Sequence, residues 1–153
     1  MKLICDVCGS AIKINQKNRS TIDPTSKNFC SKDCLLGLIR MCHPVPQSEL
    51  TMNYPDTGNI WSVDLRRFFR SSYEVEVARF LTESDIEYEY EQYLFPIKNT
   101  VYIPDFFLPE YGCFLEVKGR FGIGSKEKLK VFREVYDYSL ITIPWHRRGL
   151  FGL

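Results

Sequence analysis

The chain of 153 residues contains no apolar run long enough to cross a membrane, so no membrane partner is expected. Nothing ahead of its cysteines reads as a secretory leader, which argues for reduced thiols in an intracellular setting rather than a disulfide framework. It has no G-x-x-x-x-G-K-[ST] run to cradle a nucleotide triphosphate; the glycines of Gly119-Arg120-Phe121-Gly122-Ile123-Gly124-Ser125 suit a loose loop instead. Internal repeats and low-complexity tracts are lacking as well. Charge of one sign is also scarce: 20 Lys and Arg stand against 19 Asp and Glu, a formal net of +1, which by itself argues against a strongly basic nucleic-acid binder. What is present, 44% hydrophobic and 25% charged residues, is the composition of a globular protein with room for one core of ordinary size and a small appendage.

The small total hides three blocks of alternating sign. Residues Met1 to Arg70 are net positive, Ser71 to Val117 strongly negative, and Lys118 to Leu153 positive again. Within the acidic block, Tyr102-Ile103-Pro104-Asp105-Phe106-Phe107-Leu108 is followed by a turn signal at Pro109-Glu110-Tyr111-Gly112 and then by Cys113-Phe114-Leu115-Glu116-Val117-Lys118. That order predicts a hairpin bringing Asp105 and Glu116 together. Residues two apart in a strand share a face, so Glu116 and Lys118 project together while Val117 turns inward and offers its carbonyl oxygen. Two carboxylates supply the hard oxygen donors that Mg²⁺ or Mn²⁺ takes, and the lysine stands where a phosphate would lie, which is the donor set of a metal-dependent phosphodiesterase. An isolated E-x-K is commonplace; the hairpin context is what gives this one weight.

Upstream, Tyr73, Val77, Phe80 and Leu81 recur at helical spacing and predict a helix over 72–83, with Ser71 or Ser72 as N-cap. Glu74 lies in its first turn at the edge of the apolar face, where the helix macrodipole alone favours an acid. Further strand and helix signals follow at Ile86 to Glu91, Lys126 to Tyr136 and Leu140 to Ile143. Lys118, Arg120, Lys126, Lys128, Lys130, Arg133, Arg147 and Arg148 form the basic set beside the acidic block. Arg120, Lys126, Lys130, Arg147 and Arg148 are the candidate DNA contacts, although lysines on a helix are usually a solvated face.

These segments, in this order, resemble the PD-(D/E)xK nucleases, and most closely the phage endonuclease I type of Holliday-junction resolvase, from about Arg70 to Ile143. The resemblance implies an α+β (α/β) fold with a restriction-endonuclease-like mixed sheet flanked by helices. It implies Glu74, Asp105, Glu116 and Lys118 as catalytic residues, with Mg²⁺ or Mn²⁺ held by Asp105, Glu116, the Val117 carbonyl and Glu74. It further implies branched DNA as substrate, a symmetric homodimer, and the cytoplasm of a bacterial or phage-infected cell. A homing or restriction-like enzyme reading duplex sequence is the alternative within nucleases. A DNA-binding, transposition or assembly protein on a nuclease fold is the alternative outside catalysis. Little sequence follows Trp145-His146-Arg147-Arg148, which shifts the expected DNA grip toward the N-terminal region.

That region carries Cys5 and Cys8 as C-x₂-C and Cys30 and Cys34 as C-x₃-C, a spacing that suits one tetrahedral Zn²⁺. Gly9 after Cys8 fits a knuckle turn, and Leu35, Leu36, Leu38 and Ile39 predict a short helix after Cys34. The arrangement resembles the treble-clef or zinc-ribbon class. Cys42 and Cys113 look unpaired, and Cys42 and His43, which could replace a ligand, read as bystanders beside four good thiolates. So short a segment buries little core, and zinc would supply its folding energy. Lys13, Lys17, Arg19, Lys27 and Lys32 make the module basic enough to touch DNA, and docking a partner or second subunit is the other use. The expected division is a zinc module over 1–43, a linker or arm over 44–66 and a nuclease domain over 67–153. In the segment Ile60 to Phe69, which also holds Val63 and Leu65, most of the aromatics Trp61, Phe68 and Phe69 are expected to pack on the core.

Overall fold

The computed structural model describes residues 3–14, 22–53, 58–119 and 124–144. Among them no helix is long and apolar enough to cross a membrane. The N-terminal part is a hairpin of β1 (Leu3–Ile4) and β2 (Ala11–Ile12). Its turn closes through Cys5 N–H to the Ser10 carbonyl (2.9 Å) and Gly9 N–H to the Cys5 carbonyl (3.0 Å). Gly9 takes φ +77°, a conformation that only glycine adopts without strain, so the knuckle read from the sequence is present. Helix α1 (Lys32–Arg40) begins earlier than the sequence suggested. The Ser31 hydroxyl accepts from Cys34 N–H at 3.1 Å as N-cap, which puts Cys34 inside the first turn.

After a single 3₁₀ turn (Gln47–Glu49) and β3 (Thr51–Met52), the strands β4 (Ile60–Ser62) and β5 (Arg67–Phe69) form a two-stranded ribbon. The expectation that its aromatics pack on the core holds for Phe69 alone of the three. Trp61 and Phe68 face each other across the ribbon with ring centroids 4.9 Å apart, and Trp61 is 50% exposed. Side chains alternate across a two-stranded ribbon, and only one of its faces lies on the body of the protein.

Helix α2 (Ser72–Glu83) has the predicted bounds, capped by the Ser71 hydroxyl, and buries Val75, Val77, Ala78, Phe80 and Leu81. The next strand is shorter than the sequence suggested. Asp85 sits at φ +61° and Ile86 N–H bonds back to the Leu81 carbonyl at 2.8 Å, so 84–88 serve as the helix exit and only β6 (Glu89–Tyr90) pairs. A hairpin of β7 (Tyr93–Ile97) and β8 (Thr100–Tyr102) follows and carries β3 on its outer side. The predicted motif hairpin is β9 (Phe106–Leu108) and β10 (Cys113–Lys118), in register Cys113 to Leu108 and Leu115 to Phe106. Helix α3 (Ser125–Val135) then returns the chain to β11 (Ser139–Pro144), parallel to β10.

The main sheet runs β11-β10-β9-β6, with β9 antiparallel to both of its neighbours. It is buried on both faces. Phe106, Leu108 and Leu115 pack with α2, Phe69 and the α1 residues Leu35 and Ile39; Phe107 and Phe114 pack on the other face with Phe95, Phe132 and Leu140. The outer edge of β11 is covered by residues 22–26. Asp23 is buried there and accepts from the Thr142 hydroxyl at 2.8 Å and from Arg133 Nη1 at 2.6 Å, while Thr142 N–H donates to the Ser26 hydroxyl at 3.0 Å. Among the described residues, the β11 edge of the sheet thereby meets the side chains of Asp23 and Ser26.

Candidate active site and cysteine cluster

Four buried carboxylates meet where α2, the end of β6, and the β9–β10 hairpin come together: Glu74, Glu91, Asp105 and Glu116. Asp105 is the hub. It precedes β9 just after Pro104, which has no N–H to extend the ladder. Its carbonyl accepts from Glu91 N–H at 2.9 Å and its carboxylate from Val117 N–H at 2.7 Å, so one residue ties β6 to β10. Oxygens of Glu74, Glu91 and Asp105 lie within 4.8 Å of one another.

Each glutamate is held by named partners. Glu74 Oε2 accepts from the Ser71 hydroxyl (3.0 Å) and Oε1 from the Tyr90 hydroxyl (3.2 Å). Arg70 Nε donates to Glu91 at 2.7 Å. Glu116 accepts from the Tyr102 hydroxyl on one oxygen and has Lys118 Nζ 3.5 Å from the other, so Glu116 and Lys118 do share a strand face. The sequence placed Glu74, Asp105, Glu116 and Lys118 in one site, and the fold brings these four together. Val117 contributes its N–H to Asp105.

Glu91 is the member that sequence reasoning missed. The alternation Glu87-Tyr88-Glu89-Tyr90-Glu91 puts an acid at every second position, and nothing in that pattern selects the last. What selects it is the left-handed backbone at Glu91 (φ +47°), which ends β6 and turns the residue toward Arg70 and Asp105.

The electrostatics follow from burial. Desolvation, then the neighbouring charges of Glu116 and Glu74, hold the Asp105 carboxyl well above the usual range. Burial also raises Glu116, against the opposing pull of Lys118 and the Tyr102 hydroxyl, and raises Glu91 against Arg70. Clustered buried carboxylates cannot all ionise without an added positive charge. The donors are all hard oxygens, so the charge they fit is a divalent cation of the Mg²⁺ or Mn²⁺ kind.

Of the predicted DNA contacts, Lys130 is exposed on α3 with Nζ 3.9 Å from Glu134, and Lys126 is half-buried in the first turn of that helix. Arg120, Arg147 and Arg148 lie outside the described residues.

The four cysteines Cys5, Cys8, Cys30 and Cys34 also converge, with sulfurs within 4.8 Å of one another, Cys8 to Cys30 at 3.5 Å and Cys30 to Cys34 at 3.6 Å. Sulfurs about 2.3 Å from a tetrahedral Zn²⁺ lie about 3.8 Å apart, so the spacing is compatible with zinc. The thiols are strongly unlike one another. Cys8 is pulled down to about 6, chiefly by the Ser10 hydroxyl, and Cys30 is pushed up to about 12 by Cys8 and Cys34. Cys42 and Cys113 stand outside this cluster as free thiols, but they are neighbours of each other. The hydrogen bond to Cys113 draws Cys42 down to about 7.

The cluster's oxygen donors, with Lys118 beside Glu116 on β10, make a set that suits a divalent cation. Residues 59–143, more than half of the chain, match the family described as phage endonuclease I, and the chain belongs to that family. A stretch of 72 residues, 44% of this chain, is 36% identical to endodeoxyribonuclease 1 of Enterobacteria phage T3 and spans 47% of that protein, so the chain matches about half the length of this curated relative. No solved structure matches the chain.

Proposed function

We propose that the chain is a divalent-metal-dependent DNA endonuclease that hydrolyses phosphodiester bonds, built on a restriction-endonuclease-like core. The observation that carries the reading is Asp105, with oxygens of Glu74 and Glu91 within 4.8 Å, Glu116 next to it and Lys118 beside Glu116. Asp105, Glu116, Glu74 and Glu91 hold the metal, with the Val117 carbonyl as a further donor. A cation bound there supplies charge stabilisation to the phosphate and a more acidic water. Lys118, 3.5 Å from Glu116, would place its positive charge against that developing on the phosphate oxygens. Asp105 is held in place by the Val117 amide.

The family and the phage T3 relative support DNA as substrate. The finer proposal is a homodimer that nicks opposing strands of a four-way junction in the cytoplasm of a phage-infected or bacterial cell. The four-cysteine cluster holds a structural Zn²⁺ in a treble-clef-like module over 1–43, joined by an arm over 44–66 to a nuclease domain over 67–153. Cys5→Ser or chelation then releases one zinc per chain and lowers the melting temperature.

The test is Mg²⁺- or Mn²⁺-dependent cleavage of a labelled four-way junction, a linear duplex and a single strand by wild type beside Lys118→Ala. Paired nicking of the junction, abolished by Lys118→Ala, is the expected result. Cleavage confined to particular duplex sequences replaces the junction proposal with the restriction-like one. No cleavage of any substrate with either metal overturns the enzymatic reading in favour of a binding or assembly role.

A further inference from the structure

Most of the deeply buried rings in this protein are phenylalanines: Phe69, Phe106, Phe107, Phe114 and Phe132 are all essentially inaccessible. Tyr90 and Tyr102 sit among them. The Tyr90 ring packs against Phe69 and Phe106, and the Tyr102 ring against Phe132. A phenyl ring would fill either place, and a buried hydroxyl costs free energy unless it is bonded. Both hydroxyls end on a carboxylate of the acidic cluster, Tyr90 on Glu74 and Tyr102 on Glu116. Both targets lie close enough to Asp105 for their charges to raise its carboxyl.

The Tyr90 hydroxyl has its direction set as well. Arg70 N–H donates to its oxygen at 3.2 Å, which leaves the phenolic proton free to point at Glu74. The same Arg70 holds Glu91 through its guanidinium. The end of the β4–β5 ribbon thus fixes two of the three converging carboxylates through one residue and one ring.

We propose that Tyr90 and Tyr102 are positioning residues of the metal site, whose hydroxyls hold Glu74 and Glu116 in the orientation that a divalent cation meets on binding. This rests on the reading that the cluster binds such a cation. Groups that orient ligands in this way contribute about 10–100-fold in metal affinity when removed. Each glutamate keeps a partner on its other oxygen when its tyrosine is changed, the Ser71 hydroxyl for Glu74 and Lys118 for Glu116. Tyr93 is the internal control: its ring is buried against Phe107, but its hydroxyl accepts from Gln47 at 3.4 Å and touches none of the four carboxylates.

The experiment is calorimetric titration of Mn²⁺ into the DNA-free full chain for wild type, Tyr90→Phe, Tyr102→Phe and Tyr93→Phe, with melting temperature and the Mn²⁺ dependence of cleavage measured alongside. The expected result is a Kd raised about 10–100-fold by Tyr102→Phe and by Tyr90→Phe and unchanged by Tyr93→Phe, with the cleavage midpoint moving in parallel. If all three variants bind Mn²⁺ as wild type does while their melting temperatures fall, the hydroxyls are structural and the proposal is overturned. Tyr90→Phe carries the test alone should Tyr102→Phe not fold. A wild type that takes up no Mn²⁺ overturns the cation-site reading itself, an outcome distinct from loss of the tyrosine effect.

Discussion

Asp23 and Asp105 are both buried aspartates, and the fold treats them in opposite ways. Burial penalises Asp23, but the Thr25 amide and hydroxyl, Arg133 and the Thr142 hydroxyl outweigh it, so its carboxyl lies below the ordinary value. Asp105 suffers the same penalty, receives one backbone N–H, and faces two further carboxylates, so its carboxyl lies well above. The first is a satisfied clip that fastens residues 22–26 to α3 and β11. The second is an unfinished charge balance that a cation would complete. The difference teaches that burial alone does not mark a functional acid; the sign of the partners does.

The largest expected effect separates the two in catalysis. Asp105→Asn and Lys118→Ala are expected to lower junction cleavage by about a hundred- to a thousandfold. Asp105→Asn should leave the metal-free melting temperature unchanged or raised, because it removes a destabilising charge. Asp23→Ala, by contrast, leaves the Arg133 guanidinium without its carboxylate and is expected to destabilise the fold by about 3–5 kcal/mol. Cleavage well below its melting temperature should persist, and a loss of cleavage with unchanged stability would break the comparison.

The pH dependence sharpens it. The raised folded-state values of Asp105, Glu116 and Glu91 contribute stability that is present below the ordinary carboxyl range and lost as pH rises through the raised values. Asp23 contributes stability present above that range and lost as pH falls through its lowered value. Thermal melts of the metal-free protein should therefore fall on the alkaline side through the site and on the acid side through the clip. Mn²⁺ should relieve only the alkaline loss, as should Asp105→Asn.

The smallest effect expected is at Lys130, exposed on α3 with only a distant Glu134 beside it. Lys130→Ala should change stability by no more than about 0.5 kcal/mol. If it meets a phosphate, the slope of log K against log salt should fall by about one, measured by DNA binding over a salt series.

Much of the site was legible because its residues sit on strongly patterned elements. The α2 periodicity and the Ser71 cap put Glu74 in the first turn, and the turn at 109–112 brought Asp105 level with β10. Glu91 was not legible: three acids alternate along 87–91, and a left-handed backbone at the last one chose it. Trp61 and Phe68 were misread as core because an aromatic residue carries no sign of which ribbon face it occupies. Cys42 and Cys113 looked solitary because they are 71 positions apart in sequence and adjacent only after folding.

The sequence by itself determined the elements and the donor types: the cysteine pairs at knuckle spacing, the capped helix, and a hairpin carrying Asp, Glu and Lys in strand alternation. These are local, set by dihedral preference, side-chain period and turn chemistry within a few residues. The tertiary structure alone decided which acids stand together, which tyrosine hydroxyl meets which glutamate, and that Asp23 clips the sheet edge while Asp105 faces two further carboxylates. Burial and partner identity set those outcomes, and both are properties of distant segments brought together, which no spacing along the chain encodes.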